Sequence, residues 1–187
     1  MITGQATHQH LARGLTLGMR FHSAQVLQVN DAKPVHLGHA ALADGRWRLY
    51  AFAGARDNQD ASGGLRALAR FLAESPDSPV RRFTPKGQDL DAVFDLRGVF
   101  QQPHAEIAIE GMPVMLRPPK GRYGLYDYEK VYSAVVRLQP DIYDLRGIDR
   151  AQGALVVVRP DQYVAHVLPL DAHAELSAFF AGFMRAA

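Results

Sequence analysis

Gly153-Ala154-Leu155-Val156-Val157-Val158-Arg159-Pro160-Asp161-Gln162-Tyr163-Val164-Ala165-His166-Val167-Leu168-Pro169-Leu170 holds two apolar runs either side of a turn. Leu155 to Val158 is apolar and rich in β-branched residues, Pro160-Asp161 has turn chemistry, and Tyr163, Val164, Val167 and Leu168 form a second run, so the segment reads as a β-hairpin. No polar residue interrupts the first strand. That implies burial on both faces, the condition of a strand inside a sheet with helices on either side. Asp171 stands where a helix N-cap is expected, and Leu176, Phe179, Phe180 and Phe183 follow at i, i+3, i+4 and i+7. This spacing makes one helical stripe, which lays three phenylalanines over one face of the sheet.

The same region carries a family resemblance. Gly147-Ile148-Asp149-Arg150-Ala151-Gln152-Gly153-Ala154, running into Val157-Val158-Arg159-Pro160-Asp161-Gln162-Tyr163-Val164, resembles the C-terminal thioredoxin-like domain of FAD-dependent aromatic hydroxylases, the phenol 2-monooxygenase and 3-hydroxybenzoate 4-monooxygenase family. A second match lies upstream in Gly18-Met19-Arg20 and Asp31-Ala32-Lys33-Pro34-Val35-His36-Leu37-Gly38-His39, and continues through Ala43-Asp44-Gly45-Arg46-Trp47-Arg48-Leu49-Tyr50-Ala51-Phe52-Ala53-Gly54. The two occur in the right order and cover the chain from about Gly14 onward. The resemblance implies an α/β, thioredoxin-like fold, with a central mixed sheet and helices on both faces. The hairpin and helix of Gly153 to Met184 would close it.

Composition sets the bounds. A chain of 187 residues with 48% hydrophobic content can bury a core and most simply makes one domain. We expect residues 18–187 to form it, with residues 1–17 as a partly disordered N-terminal segment. Lys and Arg number 21 against 19 Asp and Glu, a net charge of +2, and Arg81-Arg82 is not a dense basic run, so nucleic acid is not an expected partner. The absence of cysteine removes disulfides, thiolate metal sites and dithiol chemistry together. Met1 to His10 has no basic stretch leading into an apolar core, and no apolar run reaches the roughly 18 residues of a membrane span. A cytoplasmic protein without a membrane partner is the expectation.

In chain order, Met1 to Gln9 is polar and expected to fray, while Leu11, Leu15 and Leu17 can pack on the domain. Ala24 to Val29 alternates like a strand. Val35 to Ala43, Asp44-Gly45 and Trp47 to Ala53 read as a hairpin, because Asp-Gly readily takes positive φ. In its second arm Trp47, Leu49, Ala51 and Ala53 point one way, and Arg46, Arg48, Tyr50 and Phe52 the other. A redox thioredoxin carries Cys-x-x-Cys at the next connection. Here Gly54-Ala55-Arg56-Asp57-Asn58-Gln59-Asp60-Ala61-Ser62-Gly63-Gly64 has no thiol. Ser62 can cap a helix whose buried stripe is Leu65, Leu68, Ala69 and Leu72, ending near Ser75-Pro76. Val80 to Thr84 and Val93 to Phe100 read as strands, and Ile107 with Ile109 fits either a strand or a helix edge. A short helix is expected before Gly147.

Several constellations invite chemistry. His36 and His39, with His8 and His10, are metal-ligand types, but a spacing of three on a strand places His36 and His39 on opposite faces, and no metal is expected. Ser62-Gly63-Gly64 can either cradle an anion or simply cap the helix, and the chain has neither a phosphate loop nor the Gly-x-Gly-x-x-Gly fingerprint. Without that fingerprint it holds no FAD by itself. There is no Gly-x-Ser-x-Gly elbow, and Asp141, Asp144 and Asp149 near Arg146 and Arg150 read as a solvated mixed-charge turn. Tyr123, Tyr126, Tyr128 and Tyr132 are the candidates for an interface or an aromatic ligand contact, with ordinary packing, the commoner use of aromatics at such density, as the alternative.

The leading expectation is therefore a redox-inactive accessory and dimerisation domain, forming a homodimer and packing against a flavin hydroxylase domain. The resemblance places FAD and NAD(P)H in the parent oxidoreductase family and assigns no catalytic or cofactor-binding residue to this chain, so no enzyme activity is expected of it alone. Two alternatives stand beside it: the terminal fragment of a complete FAD- and NAD(P)H-dependent aromatic monooxygenase, and a stand-alone module for small aromatic ligands.

Overall fold

The closing hairpin is present, and its first strand lies inside the sheet. In the computed structural model, which describes residues 2–58, 62–136 and 140–186, the elements in chain order are β1 (Gln25–Gln28), β2 (Pro34–His36), β3 (Trp47–Phe52), α1 (Gly64–Glu74), α2 (Pro79–Phe83), β4 (Phe94–Phe100), β5 (Pro119–Lys120), β6 (Leu125–Tyr126), β7 (Val131–Ser133), α3 (Ile142–Arg146), β8 (Ala154–Val158), β9 (Val164–Leu168) and α4 (His173–Ala181). Seven of the strands make one mixed sheet in the order β2-β1-β7-β4-β3-β8-β9, and β5 pairs with β6 apart from it. β3, β4 and β7 run parallel, and the other pairings are antiparallel. β8 pairs with β3 on one side and β9 on the other, which accounts for its unbroken apolar sequence.

Two cores sit on the two faces. Trp47, Leu49, Ala51, Leu155 and Val157 face α1, α2 and α4, whereas Tyr50, Phe52, Val156 and Val158 face α3 and the N-terminal segment. The alternation expected along β3 holds. Leu11 and Leu15 enter the second core, and Gly4 donates its N–H to the carbonyl of Ala165 at 2.8 Å, so the segment expected to fray lies against β9.

The helix α4 docks its stripe as expected, with Leu176 and Phe180 fully buried and Phe179 and Phe183 partly so. The Trp47 ring lies 5.1 Å from Phe180 and 5.4 Å from Phe183 between centroids. The cap differs from the expectation: Ala172 occupies the N-cap position without a side-chain bond, and Asp171 contributes only its carbonyl, which accepts from His173 N at 2.8 Å.

Other local readings are corrected. The expected hairpin from Val35 to Ala53 does not form. β2 folds back on β1 through a turn held by Asp31 Oδ1, which accepts from Lys33 N at 3.1 Å, and residues Leu37–Ala40 then coil into a 3-10 turn. β3 is buried along its whole length, so its edges are satisfied in the sheet interior by β4 and β8. Gly45 does take positive φ, but in a loop. Val80 to Thr84 is not a strand, because Ser78 Oγ accepts from Arg81 N at 3.2 Å and Pro79 opens the helix α2. Ile107 and Ile109 belong to neither strand nor helix, and are buried in the loop after a 3-10 turn at His104–Glu106. The short helix before Gly147 is α3, capped by Asp141 and ended by Gly147 at φ +56°.

Candidate association surface and its buried base

Three of the four singled-out tyrosines come together on one projecting arm. Gly121 and Gly124 both take positive φ and turn the chain, so that Lys120 pairs with Leu125 and Pro119 with Tyr126. The outer surface of this β5–β6 arm carries Tyr123, 72% exposed, Leu125, 70% exposed, and Tyr126, 50% exposed, with Tyr128 beside them. The rings of Tyr126 and Tyr128 are 6.1 Å apart, and the Arg117 guanidinium lies 5.0 Å from the Tyr126 centroid. Large apolar groups clustered in solvent are the mark of an association surface more than of a pocket. Tyr132 is elsewhere: it is buried on β7, where its hydroxyl donates to the carbonyl of Glu129 at 2.8 Å and accepts from Arg97.

Beneath the arm lies a charge network that the sequence reading did not single out. Lys130, 1% exposed, places Nζ 2.9 Å from Asp91 Oδ2 and 2.5 Å from Asp95 Oδ1. Arg97 Nε donates to Asp95 Oδ2 at 2.9 Å, and Arg46 Nη1 donates to Asp91 Oδ2 at 3.0 Å. Arg48 Nε sits 3.0 Å from Asp95 Oδ2, close enough for an ion pair but not aligned for a hydrogen bond. At the periphery Asp44 pairs with Arg46 and Arg48, Asp127 with Lys130, and Lys120 of the arm with Asp89 and Asp91. Five cations thus meet five carboxylates. Their charges cancel, as burial requires.

The arm is tied into this base twice, by Lys120 and by the N–H of Gly121, which donates to Asp89 Oδ1 at 2.9 Å. Burial pushes the Asp91 carboxyl up, but Lys130 and Lys120 outweigh it and hold the group below the ordinary carboxylate range. Asp95 is lowered in the same way, burial being overcome by Arg97 and Lys130. Burial lowers Lys130, yet Asp95 and Asp91 raise it above the usual lysine value. All three groups stay ionised at neutral pH. A sequence signal existed: Asp95 and Arg97 stand at i and i+2 on the otherwise apolar β4, Arg46 and Arg48 do so where the chain enters β3, and the register pairs Arg48 with Asp95.

At the start of α1, where redox thioredoxins hold their thiols, an aspartate does the local work. Asp57 is buried, its Oδ2 accepts from Gly54 N at 2.8 Å and its Oδ1 from Leu65 N at 2.9 Å. The expected N-cap, Ser62, is replaced in that position by Gly63. Residues 59–61 of the connection lie outside the described residues. The carboxylate satisfies helix-end donors that an anion would otherwise seek.

The remaining candidates are structural. His36 and His39 do not point to opposite faces, since His39 lies on the 3-10 turn and the rings approach to 5.3 Å. Among the described residues no group of three or more metal-ligating side chains converges. Asp141 is not a solvated turn residue. It is buried, caps α3 through Tyr143 N at 2.9 Å, and pairs with Arg150 at 2.7 Å, as does Asp144 at 2.8 Å.

Comparison with known proteins agrees with this architecture. The family model described as phenol hydroxylase, C-terminal dimerisation domain, matches residues 1–187. The chain is 62% identical to 3-hydroxybenzoate 4-monooxygenase of Comamonas testosteroni over its whole length, which is 29% of that protein. It is 34% identical to an FAD-dependent monooxygenase of Aspergillus terreus over 96% of the chain and 30% of that protein. The chain therefore spans about three-tenths of the length of these relatives. Among solved structures, the thioredoxin domain of a thiol-disulfide oxidoreductase from Bacteroides vulgatus superposes with a TM-score of 0.50 at 12% identity, covering 91% of this chain and 99% of that one. A candidate protein disulfide isomerase from Bacteroides thetaiotaomicron gives 0.53 at 14% identity, covering 90% and 87%. The fold is thioredoxin-like, carried by a sequence without cysteine.

Proposed function

The chain belongs to the phenol hydroxylase C-terminal dimerisation-domain family, and from that premise we propose that it is the redox-inactive accessory domain of a flavin-dependent aromatic monooxygenase, joining two copies through the β5–β6 arm. The observation that carries this reading is the match of the dimerisation-domain family over the full chain, together with the apolar arm that the fold presents and braces. Without a thiol the scaffold cannot exchange disulfides, so its contribution is contact surface. Under this reading FAD and NAD(P)H are held by the rest of a cytoplasmic parent protein, and the phenolic substrate is bound there as well.

Sedimentation of the chain tests the association reading. A homodimer that the paired substitution Leu125→Glu and Tyr126→Glu converts to a folded monomer is the expected result. A monomeric wild-type chain, or a dimer unaffected by both changes, overturns the arm's role. The fragment reading is tested separately, by adding the chain to the flavin-containing part of a relative and measuring hydroxylation. The exposed positions of Tyr123, Tyr126 and Tyr128 do not favour the small-ligand reading at that segment.

A further inference from the structure

The tip of the β5–β6 arm is built unlike an ordinary surface turn. Gly121 and Gly124, both at positive φ, bracket Arg122 and Tyr123, and Gly124 N donates to the carbonyl of Gly121 at 3.2 Å. Turns in water usually present Gly, Asn, Asp or Ser, whereas this one presents a tyrosine that is 72% exposed. The Arg122 guanidinium lies 4.4 Å from the Tyr123 ring centroid and also donates to its hydroxyl, so the two side chains form one preorganised unit. No carboxylate pairs with Arg122 among the described residues. The root of the arm is the reverse. A groove of about 440 Å³ runs beside it, with Val35 and Leu42 in its wall and Asp127 and Glu129 on its rim. Glu129 stands outside the balanced charge network, exposed and without a cation partner among the described residues. Neither Arg122 nor Tyr123 lines the groove of its own chain.

We propose that two copies of the chain exchange arms, the Arg122 and Tyr123 tip of each seating in the groove of the other, with Arg122 against Glu129 and the Tyr123 ring against Val35 and Leu42. This rests on the reading that the arm joins two copies, and names what the arm grips. Charge complementarity selects a second copy as the occupant. Each chain carries one unpaired cation at the tip and one unpaired anion at the rim, and a neighbouring copy supplies the opposite charge to both. Because both halves of the contact belong to one chain, a two-fold axis makes it twice and closes the assembly. The apolar surfaces agree: Leu42, 71% exposed, and the Tyr123 ring stand in water in the single chain, and the exchange buries them against each other. Lys120 and Gly121 anchor the arm to Asp91 and Asp89, so tip and groove are held in fixed relation before the copies meet, which lowers the ordering cost of association.

Sedimentation equilibrium of the chain and three variants provides the test, with circular dichroism showing that each variant is folded. Arg122→Glu and Glu129→Arg change exposed side chains, and each places like charges in both contacts of the dimer. Each is expected to raise the dimer dissociation constant about tenfold or more. An equimolar mixture of the two is expected to recover dimers as stable as the wild type, because every tip then meets a rim of opposite charge. Tyr123→Ala keeps all charges and is expected to weaken the dimer as well, through lost burial in the groove. A wild-type dimer that Glu129→Arg or Tyr123→Ala leaves unchanged, or a mixture that stays dissociated, overturns the exchange, while the arm's role in dimerisation is judged separately by Leu125→Glu with Tyr126→Glu. A monomeric wild-type chain overturns both.

Discussion

Lys130 and Asp95, both excluded from water, face each other with 2.5 Å between Nζ and Oδ1 where the chain enters β7 beside β4. This pair holds the root of the exposed arm, because Lys130 also meets Asp91, which in turn receives Lys120 from β5. The exposed arm and the sheet interior are therefore one mechanical unit.

Removing the cation from this pair takes away the one charge that Asp91 and Asp95 share, leaving Asp91 to Arg46 and Lys120 and Asp95 to Arg48 and Arg97. Lys130→Met is expected to cost about 3–5 kcal/mol in urea unfolding, whereas Asp127→Asn, at a partly exposed partner, costs under about 1 kcal/mol. Equal losses from the two would remove the network from its central place in stability.

The same carboxylates set the acid limb. Asp91 and Asp95 have folded values below the unfolded one, so their contribution is complete above about pH 4 and is lost as pH falls through the lowered folded values. Unfolding midpoints followed between pH 5 and pH 2 should drop steadily in the wild type. In Asp91→Asn the drop should be shallower, from a lower starting point.

A second pH effect belongs to the packing of α4 against β9. Burial lowers His166, against the pull of Glu175, and lowers His173, against Asp171. The unfolded chain then takes up protons first as pH falls below about 6.5, so stability from these groups is present above that value and declines below it. Trp47, packed on Phe180 and Phe183, reports on α4 by fluorescence, and its urea midpoint should be lower at pH 5.5 than at pH 8. His173 stacks on Phe71 at 4.2 Å and its Nε2 is buried without a hydrogen-bond partner among the described residues, so His173→Phe should keep the stack and reduce the pH difference.

Backbone geometry separates two glycines. At Gly153, φ is +73° and an added Cβ would stand 2.2 Å from the carbonyl oxygen of Phe52. At Gly121, φ is +59° and the space is open. Gly153→Ala should lower stability by about 3 kcal/mol or more, and Gly121→Ala by about 1–2 kcal/mol, the conformational cost alone. Thermal melting of both variants decides.

Asp57→Ala strips the acceptors from Gly54 N and Leu65 N and should cost about 2–3 kcal/mol. Asp57→Asn, which retains one carbonyl acceptor, should lose less. Hydrogen exchange at Leu65 should quicken in both variants. Unchanged protection there would assign the capping to another group.

Legibility followed burial. β8, β9, α1 and the stripe of α4 were readable because their hydrophobic periods match their environments on both sides. Val80 to Thr84 misled because two buried residues, Val80 and Phe83, fit a strand as easily as one helical turn, and only Ser78 and Pro79 tip the balance. The expected hairpin at Asp44-Gly45 failed for another reason: β3 had a stronger claim on interior partners than on its sequence neighbour. Of the four tyrosines, composition could not separate the three on the arm from Tyr132, since all share one short aromatic-rich segment.

From the sequence alone came the thioredoxin-like class, the missing thiols, the closing hairpin and helix, and the family resemblance, because these rest on local pattern and on residue identity. Tertiary structure alone decided that Asp91, Asp95, Arg97 and Lys130 meet, that Asp57 secures α1, and that Tyr126 is exposed while Tyr132 is buried. Those outcomes depend on register between strands distant in sequence and on which charges burial forces into contact. No periodicity along the chain encodes either.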